Sequence, residues 1–249
     1  MIAAELLAIQ DHRTFPLPRS PWIMRQEWHH LLFAHWPVAA EVVRALVPKQ
    51  FELDLWQGQA YVGVVPFQIR NLRPRSIPCV PVLSHFAEIN VRTYVTYGGI
   101  PGVWFFSLDA ANLSAVIGAR FLYALPYYHA DFAIRRDGYA TTYRSRRKQR
   151  PKPAEFEATY KPVSPVMEWK PPEQTLERFL SERYCLYAIS GGHVYRTPIH
   201  HLPWPLQLAE ATVRVNTIAS PLGLRFDQVP PLLHYSESLD VLVWAPHRA

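Results

Sequence analysis

A chain of 249 residues that is 49% hydrophobic and 18% charged has material for a sizeable core, which excludes global disorder. A formal charge of +6 with a pI near 9.4 is a mild basic excess: it favours anionic partners weakly and does not define a nucleic-acid binder. Two distant cysteines, Cys79 and Cys185, exclude a disulfide framework and a Cys-x-x-Cys half-site, and no apolar run reaches the roughly 18 residues of a membrane helix.

In chain order, residues 1–20 read as a peripheral arm ending in PLPRSP. Its short apolar run has no basic leader and no cleavage pattern, so cytoplasmic residence is the expectation. AAEVVRALVP carries Val42, Val43 and Leu46 at helical spacing and stops at Pro48. FELDLWQGQAYVGVVPFQIR predicts a hairpin, with Phe51, Leu53 and Leu55 alternating with Glu52 and Asp54, a WQGQ turn, and a return from Tyr61 to Ile69. RNLRPRSIPCVPVLSHFAE reads as a proline-rich loop of a length that is often functional. INVRTYVTYGGIPGVWFFSLDA is the clearest hairpin, turning at YGGIPG.

ANLSAVIGARFLYALP then predicts a helix ended by Pro126, with Asp109 or Asn112 as its cap. YYHADFAIRRDGYATTYRSRRK predicts a strand pair around Asp137-Gly138, and QRPKPAEFEATYKPV continues as strand. PPEQTLERFLSERYCLYAI reads as a helix to about Arg183 and then a strand. GGHVYRTPIHHLPWPLQLAEATVRVN gives turn, strand, loop and strand, and LLHYSESLDVLVWAP a closing strand. Neither a repeat nor a linker divides the chain. The expectation is one domain over residues 1–249, α+β in class, mostly antiparallel β with a few helices.

Few residues carry recognisable chemistry. Glu88, Asn90 and Arg92 lie at a spacing of two and share one strand face, which Tyr94 extends. Such a row either lines a cavity or faces solvent as a surface salt bridge. The basic run RSRRKQRPK, Arg144 to Lys152, reads as a solvated edge strand whose charges block aggregation rather than as a phosphate patch. The histidines include two adjacent pairs, His29-His30 and His200-His201, but no His-Glu-x-x-His helix, so no metal is expected. Cys185 lies in an apolar run and reads as a small buried hydrophobe. No nucleophile elbow and no glycine-rich nucleotide cradle occurs.

The motifs NVRTYV, WFFSLDA, ALPYYHA, SERYCLY and IHHLPWPL, in that order, resemble the YqjF-like proteins, domain-of-unknown-function family 2071, from about Trp28 to Trp244. That family is similar in turn to acetoacetate decarboxylases. The resemblance implies a β-rich, cone-shaped barrel with a site in its interior, but no established activity. It sets Glu88 at a glutamate of the decarboxylases and Tyr127-Tyr128 at their lysine pair. A phenol cannot form the imine on which that decarboxylation depends. No Schiff-base chemistry and no cofactor are therefore expected. Glu88 would be the acid–base group, Tyr127 the stabiliser of a carbonyl or enolate oxygen, and Arg92 a carboxylate anchor. Asn90, Tyr128, His129, Arg183 and His201 are further candidates for the lining. Of the two tyrosines, Tyr127 is expected to face the cavity; the alternative is that both are ordinary core residues. The expected partner is a small carbonyl or carboxylate compound, turned over or merely sensed. No nucleic acid or membrane is expected, and a homo-oligomer is open.

Overall fold

The structure is a computed structural model. It describes residues 2–79, 84–112, 124–151, 153–168, 174–226 and 232–249. Helix α1 (Ala3–Ala8) precedes strand β1 (Met24–Val38), helix α2 (Ala40–Leu46), β2 (Glu52–Leu53) and β3 (Ala60–Pro74). The hairpin β4 (Phe86–Tyr97) and β5 (Ile100–Ala110) follows, then β6 (Tyr127–Asp137), β7 (Ala140–Arg147) and β8 (Glu155–Pro162). Helix α3 (Leu176–Ser181) leads into β9 (Cys185–Ser190), β10 (His193–His200), β11 (Gln207–Asn216), β12 (Leu232–Val243) and the short β13 (His247–Arg248).

The pairings close two circuits. One runs β5-β6-β7-β8-β11-β12-β1-β3-β4 and returns to β5, a mixed barrel of nine strands. The other runs β5-β9-β10-β12-β1-β3-β4 and also returns to β5. The two share the wall β12-β1-β3-β4-β5, and each face of that wall serves a different interior. In β3, Val62 and Val64 enter a large apolar core with Tyr143, Phe156 and Tyr160 of β7 and β8. Val65, Phe67 and Ile69 turn the other way. In β4, Ala87, Ile89 and Val91 face the same filled core, and Glu88, Asn90 and Arg92 face the second circuit. The nine-strand circuit is therefore packed solid, and the cavity lies within the second circuit, behind the shared wall.

Two backbone features maintain this division. In β1 the cavity-facing positions are even up to Trp28 and odd from Leu31. The switch falls at His30, whose φ of 53° marks a break in the strand register. In β5, a bulge between the pairs Val91↔Ser107 and Arg92↔Phe105 adds a residue, so Phe105 and Leu108 both face the cavity. Gly102 closes the seam between β5 and β9. A Cβ there would lie 2.6 Å from Tyr187 and 2.7 Å from the Cys185 carbonyl, an approach only glycine permits.

Several sequence-based expectations are corrected. Residues 52–53 do not pair with β3; they add to the far edge of β4, although Trp56 and Gln59 do bridge across the expected turn. The first part of the proline-rich segment is strand, because β3 runs to Pro74 alongside β1. Asp109, expected at a helix start, is a fully buried β5 residue held by Arg147. The helix expected over 111–126 falls largely on residues outside those described. Strand β7 is not an edge strand, since it sits between β6 and β8. Its exposed Arg144 and Arg146 reach Glu157 and Glu155, while Arg147 alternates inward. The arm of residues 1–20 is docked, with Leu6 buried against Leu242 and Trp244. Among the described residues, no helix is long and apolar enough to cross a membrane.

Candidate functional site

The second circuit encloses a cavity of about 330 Å³ lined mostly by apolar side chains, among which a few polar groups converge. The β4 row supplies Glu88, Asn90 and Arg92, the first residue of β6 supplies Tyr127, and the segment after α3 supplies Arg183. His201 and Trp204, beyond β10, complete the opposite side. The alternation of β4 accounts for the row, and the parallel register Leu108↔Tyr127 brings the tyrosine onto the same face.

Glu88 is 3% exposed. Desolvation pushes its carboxyl up to about 8, against the pull of hydrogen bonds from Tyr127 and Asn90 and with a small upward push from the Asp109 charge. Tyr127 Oη donates to Glu88 Oε2 at 2.9 Å. From behind the wall, Tyr143 Oη donates to the Glu88 backbone carbonyl at 2.7 Å and fixes the strand at that position. At neutral pH the acid is therefore mostly protonated and can donate to an oxygen placed in the cavity.

Arg92 is the cation of the site. Its Nη2 donates to the Leu180 carbonyl at 3.0 Å, and its guanidinium stacks 5.3 Å from the Phe33 ring. Its Nε is buried without a hydrogen-bond partner, and no carboxylate pairs with it among the described residues. Arg183 differs: its Nη1 donates to Asp54 Oδ2 at 2.5 Å and its Nε to the Phe179 carbonyl at 2.6 Å, so its charge is already balanced. With Glu88 neutral and Arg183 balanced, the cavity carries a positive charge centred on Arg92. Asn90 Oδ1 and Trp204 Nε1 are likewise buried without partners among the described residues, one an acceptor and one a donor.

His201 is held neutral. Burial lowers it to about 3. Its Nδ1 sits 2.7 Å from the Leu202 carbonyl, which can only accept, so Nδ1 bears the proton and Nε2 is a bare acceptor. Tyr94, the next residue in the β4 row, does not reach the cavity. It is fully buried beneath Arg92, donating to the Leu180 carbonyl at 2.7 Å and accepting from His35 Nε2 at 2.6 Å.

Two candidates lie elsewhere. Tyr128 alternates to the opposite face, where its ring lies 4.0 Å from the Arg147 guanidinium. His129 has the parity of Tyr127 but does not line the cavity. It pairs with Ala110 at the very end of β5, where β6 leaves that strand to pair with β7. The lining also contains Gln26, Ser181, Thr197 and Trp204, which sequence reasoning did not single out. The Trp204 indole, at an inward turn of the IHHLPWPL segment, carried the only readable signal among them. Among the described residues no cluster of three potential metal ligands occurs, and no lysine lines the cavity.

The barrel defines a protein of the acetoacetate decarboxylase-like fold. An acetoacetate decarboxylase from Legionella pneumophila superposes with a TM-score of 0.63 at 12% identity, covering 96% of this chain and 94% of its own. The enduracididine biosynthesis enzyme MppR complexed with pyruvate also gives 0.63, at 11% identity and with 92% and 91% covered. At such identities the likeness shows the fold alone. The chain itself belongs to the DUF2071 family, described as an uncharacterized conserved protein, which matches residues 25–240. The uncharacterized protein YqjF of Bacillus subtilis (strain 168) is 45% identical over 234 residues, 94% of this chain and 96% of YqjF.

Proposed function

We propose that the cavity binds a small oxo-acid, with its carboxylate at Arg92 and its carbonyl oxygen between Glu88 and Tyr127, and moves a proton without forming an imine. The observation that carries this reading is the pairing of an unbalanced buried arginine with a buried, largely protonated glutamate on one face of β4. A guanidinium with an unused buried donor gains strongly from a carboxylate in a dry site. In enolisation the ionised fraction of Glu88 takes the proton from the carbon beside the carbonyl, Tyr127 turns its single O–H from Glu88 to the oxygen that gains the negative charge, and Glu88 then returns the proton to carbon. The pyruvate bound by the structurally similar MppR has the chemistry this seat requires.

The test uses pyruvate. It should bind by calorimetry, lose most of its affinity in Arg92→Gln, and exchange its methyl protons with deuterated solvent faster in the presence of the protein. Borohydride treatment of the mixture should leave the protein mass unchanged, because no imine forms. A reduced adduct would overturn the imine-free reading, and absence of binding by pyruvate and by longer oxo-acids would overturn the whole proposal. Binding without exchange would identify a non-catalytic sensor, which the predominance of apolar lining also accommodates.

A further inference from the structure

The cavity is longer than a three-carbon acid requires, and its walls are sorted along that length. Arg92 and Phe86 are six residues apart on the same face of β4, about 20 Å of extended strand. Arg92, Ser181, Arg183 and Thr197 gather at one end, and Glu88 lies between them and Phe86. At the Phe86 end the facing residues are Ile69 of β3 and Trp28 of β1, which stand opposite one another in the register, with Leu72 and Met24 beyond them. Two amides reach that region among the described residues: Gln26, which already accepts from Trp28 Nε1 at 2.7 Å, and Asn112, just past the end of β5. The same sorting shows in exposure: Arg92, Ser181 and Thr197 are buried, whereas Met24, Trp28, Leu72 and Phe86 are half-buried. The cation sits deep, and the apolar end leads outward.

Resting on the carboxylate reading above, we propose that the ligand is an amphipathic carboxylic acid, a medium-chain alkyl or arylalkyl acid, with its carboxylate at the Arg92 end and its chain running past Phe67 toward Phe86. A short acid would fill only the deep end and leave the apolar length wet. A chain that covers Phe67 and Phe86 removes that surface from water and gains about fourfold in affinity per buried methylene. In this pose Glu88, four residues from Arg92 and opposite Phe67, faces the chain between the carboxylate and the Phe86 end.

A calorimetric series on the wild-type protein tests this: pyruvate, butanoate, hexanoate, octanoate and phenylbutanoate, with octanamide as the uncharged counterpart. The expected result is a rise on the order of a hundredfold from butanoate to octanoate, with octanamide far weaker than octanoate. In Arg92→Gln the rise with chain length should persist while the preference for octanoate over octanamide disappears. Affinity that is flat or falls with chain length, while pyruvate binds, overturns the amphipathic ligand and leaves the oxo-acid reading standing. Failure of every carboxylate removes both. If Arg92→Gln does not fold by circular dichroism, the octanoate–octanamide comparison on the wild type decides the orientation, and equal affinity overturns it.

Discussion

Tyr127 and Glu88 meet diagonally across β5. Tyr127 stands opposite Leu108 and Glu88 opposite Ala110, and the phenol bridges that offset with a 2.9 Å hydrogen bond. Phenol and acid are thus near neighbours on one wall, so their separation is set by sheet register and does not depend on the width of the cavity.

Tyr127→Phe removes a donor that favours the ionised carboxylate. Glu88 should then titrate above its present value of about 8, read by carbon NMR of labelled glutamate. The fold should be kept, with a stability loss of about 1 kcal/mol. A midpoint that stays in place or moves down would show that the bond does not act on the acid.

Glu88 makes stability fall with pH. Its folded value, about 8, lies above its unfolded value near 4.5. Between the two, the native state keeps a proton that the unfolded chain has released. Unfolding free energy should therefore decline across that window by up to about 1.4 kcal/mol per pH unit, and level off above it. Glu88→Gln lacks this term, so its stability relative to wild type should rise from pH 4.5 to 8 in urea titrations. A constant difference would place the acid in a wetter site than the cavity shown here.

The same ionisation governs anion binding. Above about 8 the cavity gains a negative charge, so carboxylate affinity should drop as pH rises through that value. In Glu88→Gln the affinity should be flat over the same range, by calorimetry at fixed ionic strength.

Arg147 and Asp109 form a buried pair with three hydrogen bonds of 2.6–3.1 Å inside the filled barrel. Arg147→Ala leaves a carboxylate uncompensated and should cost about 3–5 kcal/mol. The double replacement Arg147→Met with Asp109→Leu should recover most of that in denaturant titrations. Equal loss in both would mean that the pair's packing, with Tyr128 over the guanidinium, matters more than its charge.

The strand alternation of β4 and the hairpin to β5 were legible in the sequence because both interiors impose a period of two on it. So was the inward direction of Tyr127, although only through a family resemblance. The fate of the row was not legible: Glu88, Asn90 and Arg92 would read the same on a solvated edge. What encloses them is β9 and β10, joined to β5 and β12 by pairings between residues distant in the chain. His129 was misplaced because parity gives a face and not a position along it. The partner of Arg183, Asp54, lies 129 residues away, beyond any local pattern.

Gly102→Ala should be disproportionately damaging for a single methyl group. The new Cβ meets backbone at Cys185 and the ring of Tyr187, so β5 and β9 must part. A loss of about 1–3 kcal/mol is expected, with faster amide exchange in β9 than in β7. Unchanged exchange in β9 would place the adjustment in the Tyr187 ring alone.

A wall with two interiors has no neutral face, and this bears on how the chain avoids misfolding. Sliding β4 by one residue would carry a glutamate, an asparagine and an arginine into the dry barrel and deliver Ala87, Ile89 and Val91 to the hollow. The polar row thus acts as a key that only one alignment accepts. Replacing all three by apolar side chains would therefore erase the difference between the two faces along with the chemistry of the hollow.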